Sequence, residues 1–178
     1  MQEIEVKILE INKSQVENFL HNLGAIKTFD GVMEIFFYDF ADGSIIKSGN
    51  VFRLRKENTQ CILTYKKVEK NKDAKYAEEY SVEVSSLSAM QTILSCLCLK
   101  IFDKISKHRT SFEFEGTHFD IDRYLGEYQH IPEFMEIESN SIDSIRSYVK
   151  RVGFKIEDCL SWSTEQVIEH YRNKERSY

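Results

Sequence analysis

Glu3, Glu5 and Lys7 stand at alternate positions of the opening segment Glu3-Ile4-Glu5-Val6-Lys7-Ile8. In an extended strand, successive side chains point to opposite faces, so these three share one surface while Ile4, Val6 and Ile8 share the other. Two carboxylates beside an ammonium suit a hard divalent cation together with an anionic oxygen. Any strand with one solvated face gives the same pattern, so its weight depends on recurrence.

The pattern recurs. Arg53 and Arg55 share a face opposite Phe52 and Leu54, and Lys66 follows Ile62 and Thr64 along one side of its segment. Glu79 and Glu83, with Ser81 between them, oppose Tyr80, Val82 and Val84. Lys107 and Arg109 alternate with His108, Asp120 and Asp122 with Phe119 and Ile121, and Glu136 and Glu138 flank Ile137. Two arrangements account for such rows. One is an open sheet with a salt-bridged outer surface. The other is a barrel whose charges line the interior while helices cover an apolar exterior. A dry interior of that kind loses several kcal/mol of hydration per ion, about enough to forbid it unless water and a charged ligand fill it.

The elements that must position these residues are legible from periodicity. Strands are expected at 3–8, 32–40, 50–57, 60–68, 76–85, 103–115, 117–124 and 134–139, and helices at 14–23, 87–99, 144–152 and 163–172. Gly24 stops the first helix, Asn58-Thr59 forms a tight turn, and Lys67 to Lys75 reads as a solvated hairpin loop. Ser163 and Gln166 have capping-box spacing. The connections are mostly too short for parallel crossovers, so antiparallel hairpins dominate, and closure would remove exposed edges.

Composition bounds the rest. Twelve Phe and nine Tyr against a single Pro fit a β-rich fold of regular elements. A net charge of −5 argues against a general DNA or RNA binder. No apolar run is long enough to span a bilayer and the amino terminus is charged, so a cytoplasmic location without membrane contact is expected. Cys61, Cys96, Cys98 and Cys159 form no CxxC pair; Cys96 and Cys98 lie in an apolar stretch and read as small packing residues. His21, His108, His118, His130 and His170 have no ligand-like spacing and read as surface or structural residues.

At these same residues the chain resembles the CYTH, or triphosphate tunnel metalloenzyme, family. Glu3-Ile4-Glu5-Val6-Lys7 matches its ExExK signature. Val51-Phe52-Arg53-Leu54-Arg55 resembles the LRIR segment and Leu63-Thr64-Tyr65-Lys66 the LTxK segment. Lys107-His108-Arg109 matches KxR, Met135-Glu136-Ile137-Glu138 matches EIE, and Phe37-Tyr38-Asp39 is close to YFD. The resemblance implies an α+β fold: a closed eight-stranded antiparallel β-barrel, or tunnel, with helices packed outside. It implies one CYTH domain over 1–178, with a core at 1–140 and carboxy-terminal helices at 141–178 on the barrel. By the same resemblance, Glu3, Glu5, Glu136, Glu138 and one of Asp120 or Asp122 would hold Mg²⁺ or Mn²⁺. Lys7, Arg53, Arg55, Lys66, Lys107 and Arg109 would grip the triphosphate, and a second metal, or a carboxylate such as Glu5 or Glu79, would position the attacking water beside catalytic Lys7.

Several positions depart from the family pattern. Ile35 stands where many members are polar, Ser81 interrupts an acidic row, and the stretch from Asp122 to Glu136 is long. Ile105 has the parity of Lys107, which suggests a bulge or a late strand start. The implied activity is hydrolysis of tripolyphosphate, thiamine triphosphate or ATP. Two alternatives stand beside it: a class IV adenylate cyclase, which the IPxxMEIE-like ending suits, and a non-catalytic triphosphate or polyphosphate sensor. A homodimer is left open.

Overall fold

The computed structural model describes residues 2–69 and 75–175, without the side chains of Gln2, Glu3, Glu69, Lys75, Tyr76 and Glu175. The strands are β1 (Gln2–Ile8), β2 (Ile26–Asp39), β3 (Val51–Glu57), β4 (Gln60–Glu69), β5 (Lys75–Val84), β6 (Lys100–Phe114), β7 (Thr117–Leu125) and β8 (Phe134–Ser139). All pair antiparallel in the ring order β1-β5-β4-β3-β2-β6-β7-β8, with β1 also joined to β8. The β1–β5 seam is short, running only from Gln2 opposite Glu78 to Glu5 opposite Lys75. Ring closure removes sheet edges that would otherwise template association.

The alternation read from sequence decides what faces out. Ile4, Val6 and Ile8 of β1, Phe112 of β6, Phe119 and Ile121 of β7, and Met135 and Ile137 of β8 form one buried exterior face. Helices α1 (Lys13–Leu23) and α4 (Ile142–Val152) cover it with Val16, Leu20, Ile145, Tyr148 and Val149. Asn12 caps α1 by accepting a hydrogen bond from Gln15 N at 3.1 Å, and Gly24 ends it at φ 87°, a backbone shape open to glycine at little cost. On the other side, α2 (Ser44–Lys47) and α3 (Leu87–Cys96) cover Phe36, Tyr38 and Leu54 with Ile45 and Leu94. Helix α5 (Thr164–Glu175) docks on Ile105, Tyr124 and Phe134 through Val167, Ile168 and Tyr171. Its amino-terminal turn closes as Ser163 and Gln166 were expected to close it: Ser163 N donates to Gln166 Oε1 at 2.8 Å and Gln166 N to Ser163 Oγ at 3.3 Å.

Some boundaries differ from expectation. β2 starts at Ile26 and β6 at Lys100, both earlier than periodicity indicated, because their pairing with each other extends past the alternating core segments. The register slips between Phe37–Asp103 and Tyr38–Ile101, so Phe102 is the extra residue of a bulge. Ile105 lies beyond that slip and keeps the inward parity of Lys107, buried opposite Ile35. Cys96 and Cys98 are exposed and do not pack as core residues, because α3 turns only its Leu94 side inward. The tip of the expected 67–75 loop, residues 70–74, lies outside the described residues. Among the described residues, no helix is long and apolar enough to cross a membrane.

Helix α2 carried no periodic signal because Asp39, one residue beyond the apolar run, builds it. The buried Asp39 carboxylate accepts from Phe40 N, Ile45 N and Ile46 N at 2.7, 3.0 and 2.9 Å. Burial pushes its pKa up, but the three N–H donors and Lys47 outweigh that and hold it below the ordinary carboxylate value. Its folded pKa is therefore depressed, so the stabilisation is present above the unfolded pKa and is lost as pH falls through the folded one. Asp39→Ala is expected to cost about 1–3 kcal/mol in urea denaturation at neutral pH, with the gap from wild type narrowing in acid.

Candidate active site

Facing inward, the alternating charges surround a cavity of about 770 Å³. β1 contributes Glu5 and Lys7, β3 Arg53, Arg55 and Glu57, β4 Lys66 and β5 Glu79. β6 contributes Lys107 and Arg109, β7 His118 and Asp120, and β8 Glu136 and Glu138. Cross-strand register explains the grouping, because directly opposed residues of an antiparallel pair point to the same side. Lys7 lies opposite Glu136, Glu5 opposite Glu138, Asp120 opposite Glu136, Arg109 opposite Asp122 and Lys66 opposite Glu79.

One wall, made by β1, β8, β7 and β6, is densely ion-paired. Lys7 is 1% exposed; its Nζ contacts Glu5 and lies 2.9 Å from Glu136 Oε1. Burial would push the Lys7 pKa down, but Glu136 and Glu5 overcome that and raise it well above the ordinary value. Arg109 donates from Nε to Asp122 Oδ1 at 2.7 Å and from Nη2 to Asp122 Oδ2 and Glu136 Oε2, both at 2.6 Å. Its Nη1 also meets Asp120. Burial opposes that charge too, and the three carboxylates again win. Lys107 Nζ sits 2.5 Å from Asp122 Oδ2, yet burial and the neighbouring Arg109 lower its pKa. Glu136 is held well below the usual range: its burial is outweighed by Lys7, Lys107 and Arg109.

The opposite wall, β3 and β4, is less satisfied. Arg53 Nε is buried without a hydrogen-bond partner among the described residues, whereas the buried Arg55 Nε is in ion-pair contact with Glu57. Burial and repulsion from Arg53 hold the Arg55 pKa down at about 10. Lys66 Nζ lies 2.5 Å from Glu79 Oε2, and Ser81 Oγ donates to Glu79 Oε1 at 2.6 Å. Against its burial, Lys66 and Ser81 pull the Glu79 carboxyl to about 2. Such a carboxylate is a poor proton acceptor near neutral pH and a good brace for Lys66.

The expected site residues therefore converge, apart from two qualifications. Asp122 is completely buried behind Arg109 and Lys107 and does not line the cavity, whereas Asp120 does. The Glu3 side chain lies outside the described residues, and Glu3 is placed only by its backbone pairing with Ala77. Sequence reasoning missed Glu57, whose parity with Arg53 and Arg55 was available as a signal. His118 is exposed, as its surface reading expected, and it also lines the cavity opposite Glu138. No sequence signal placed Ser161, Ser163, Thr164, Glu165 and Gln166 in the site, yet they line the cavity.

Among the described residues no three of His, Cys, Asp and Glu come together in ligating geometry; their carboxylates turn to Lys7 and Arg109. The donor chemistry nevertheless fits a hard divalent ion. Directly opposed Glu5 and Glu138, and likewise Asp120 and Glu136, put like charges side by side, which Lys7 and Arg109 offset here and which a divalent ion could also offset.

An antiparallel β-tunnel with cationic and anionic rows around one bore defines the class of protein. The chain matches the CYTH domain family over residues 1–151, and it belongs to that family. A Methanocaldococcus jannaschii protein bearing the name "Putative adenylate cyclase MJ0240" is 25% identical over 143 residues, covering 80% of this chain and 79% of the relative. PH1012 from Pyrococcus horikoshii OT3 superposes with a TM-score of 0.76 at 21% identity, covering 94% of this chain and 98% of the other. HpAC1 from Hippeastrum, described as a "putative adenylyl cyclase" with a dominant triphosphatase activity, superposes at 0.67 with 16% identity, covering 95% and 96%. These two structural likenesses concern the fold.

Proposed function

We propose that this protein is a divalent-metal-dependent triphosphatase that hydrolyses inorganic or organic triphosphates inside the charged tunnel, the whole chain acting as one domain. The observation that carries the reading is the buried guanidinium pair of Arg53 and Arg55, with Arg53 Nε lacking a hydrogen-bond partner among the described residues and Arg55 Nε in contact with Glu57, facing a carboxylate-bearing wall. Guanidinium forks match phosphate oxygens, and a cation already repelled by its neighbour gains most when a polyanion arrives. Lys66 adds a braced ammonium on the same wall, and Lys7, Lys107 and Arg109 complete the cationic surround.

Glu5, Asp120, Glu136 and Glu138, with Glu3 by its place in the ExExK segment, would hold Mg²⁺ or Mn²⁺. Such an ion supplies charge neutralisation on phosphate oxygens and polarises the phosphorus toward attack. The chain's own residues do the positioning. Arg53, Arg55 and Lys66 hold the phosphate chain extended, and Glu5 orients a water in line with the terminal phosphorus. The water oxygen bonds to phosphorus, the bond to the bridging oxygen breaks, and orthophosphate leaves beside a diphosphate. Little covalent work falls to the protein; alignment and charge stabilisation carry the rate.

Cyclisation of ATP is the second reading, favoured by the name of the M. jannaschii relative. Offering tripolyphosphate, thiamine triphosphate and ATP separately, each with Mg²⁺ or Mn²⁺, distinguishes the readings. Orthophosphate is expected, and chelation with EDTA is expected to abolish its release. Cyclic AMP with pyrophosphate would replace the hydrolase reading with the cyclase, and tight binding without product would leave a sensor.

A further inference from the structure

Ring closure leaves one length of strand edge unpaired. β1 meets β5 only as far as Gln2 opposite Glu78, whereas β5 runs on to Val84. Among the described residues, Tyr80 to Val84 pair with β4 alone, from Tyr80 opposite Tyr65 to Val84 opposite Cys61. Their other side is an open edge, whose backbone N–H and C=O groups can template a further strand. The side chains are as open as the backbone. Outward-facing Tyr80 is 58% exposed and Val82 56%, and Ser81 and Glu83, of inward parity, are exposed as well. Helix α3 belongs to the cluster of Leu63, Tyr65 and Val84 and leaves Tyr80 and Val82 bare. Soluble proteins guard such edges with lysine, proline or a bulge. This edge has no Lys or Pro, and its register with β4 runs unbroken.

We propose that this edge is a self-association surface: β5 of a second copy pairs antiparallel with it across a two-fold axis through Val82. The sequence of the edge favours its own copy. A two-fold axis perpendicular to the sheet keeps outward side chains outward, so only residues of equal parity can stand opposite each other. Centred on Val82, all five residues find partners. Tyr80 meets Val84 of the second copy, Ser81 meets Glu83, and Val82 meets itself. Apolar groups then face apolar groups on the outside, and a hydroxyl faces a carboxylate on the inside. Centring on Ser81 would set Glu79 against Glu83, and centring on Glu83 would set that carboxylate against its own copy. Like charges directly opposed are destabilising, so the charges select the Val82 register. On β4, Leu63 and Tyr65 stand opposite Val82 and Tyr80 and widen the outward apolar strip on each side of the axis. A ladder of five residues is short, so the dimer belongs with the small interfaces that dissociate on dilution.

Sedimentation equilibrium over a dilution series tests this on wild type, Val82→Lys, Val82→Glu and an equal mixture of the two variants. Val82 is more than half exposed and outside the bore, so both variants are expected to fold, which thermal melting checks. Wild type is expected to shift from single-chain mass to twice that mass as concentration rises. Each variant alone is expected to stay at single-chain mass, because two like charges then meet on the axis. The mixture is expected to regain the doubled mass, since an ammonium and a carboxylate now face each other there. That rescue cannot come from a general loss of structure. Wild type at single-chain mass throughout would overturn the self-pairing and leave the edge to a strand from another protein. A doubled mass that either variant keeps on its own, or a mixture that fails to recover it, would overturn the pairing through Val82.

Discussion

Arg55→Ala is expected to lower kcat/KM for the best triphosphate roughly a hundredfold to a thousandfold while leaving the protein folded. The size follows from where the charge sits. Arg55 lies on the bore wall beside Arg53, where burial and that neighbouring cation leave it short of counter-charge despite its contact with Glu57. Its loss therefore removes a donor preorganised for phosphate in a site where water screens poorly. Stability behaves differently. Burial and Arg53 depress the Arg55 pKa to about 10, so the fold holds its charged form at a disadvantage, and removing it relieves repulsion even as Glu57 loses a contact. Arg55→Lys should recover only part of the rate, because an ammonium cannot reproduce the fork. Steady-state kinetics paired with thermal melting checks both halves. Wild-type turnover in a folded Arg55→Ala protein would remove Arg55 from the site.

Asp122 invites the opposite expectation. Its carboxylate is wholly buried and is shared by Lys107 and Arg109, with three contacts between 2.5 and 2.7 Å. Asp122→Ala is expected to destabilise the protein by about 3–5 kcal/mol, because it takes the counter-charge from buried Lys107 and two hydrogen bonds from buried Arg109, which keeps Asp120 and Glu136. The urea midpoint should fall with little change in slope, and it should fall equally with and without divalent ions. Asp120→Asn, at the lining position, should instead be mild in stability and weaken divalent-ion dependence of turnover. If Asp122→Ala melts like wild type and loses only metal response, the two aspartates have exchanged roles.

That contrast shows how far the chain could be read without its fold. Residue parity is a local property: a strand repeats every two residues, so Glu5 with Lys7, Arg53 with Arg55, and Glu136 with Glu138 had to share faces wherever the sheet went. The same rule gave the apolar set Ile4, Val6, Phe119 and Ile137, which now lies beneath α1 and α4. Whether the ionic face pointed to solvent or to a bore was open on periodicity alone. The family resemblance favoured the bore, and ring closure through the β1–β5 and β1–β8 pairings is the structural fact that answers it.

Depth along the bore was beyond any local signal. Asp120 and Asp122 have identical parity and chemistry, yet one lines the cavity and the other is sealed behind Arg109. Ile105, on the face of Lys107, meets Tyr124 and Phe134 where α5 packs, a contact set by residues some sixty positions later in the chain. Phe102 lines the cavity beside Asp103 because of a register slip between two strands, which depends on their pairing and not on either segment alone. Alternation within each segment thus determined which side chains could act together. Pairing between distant segments decided which of them meet a ligand, because only the closed ring fixes how deep each row lies and what covers its ends.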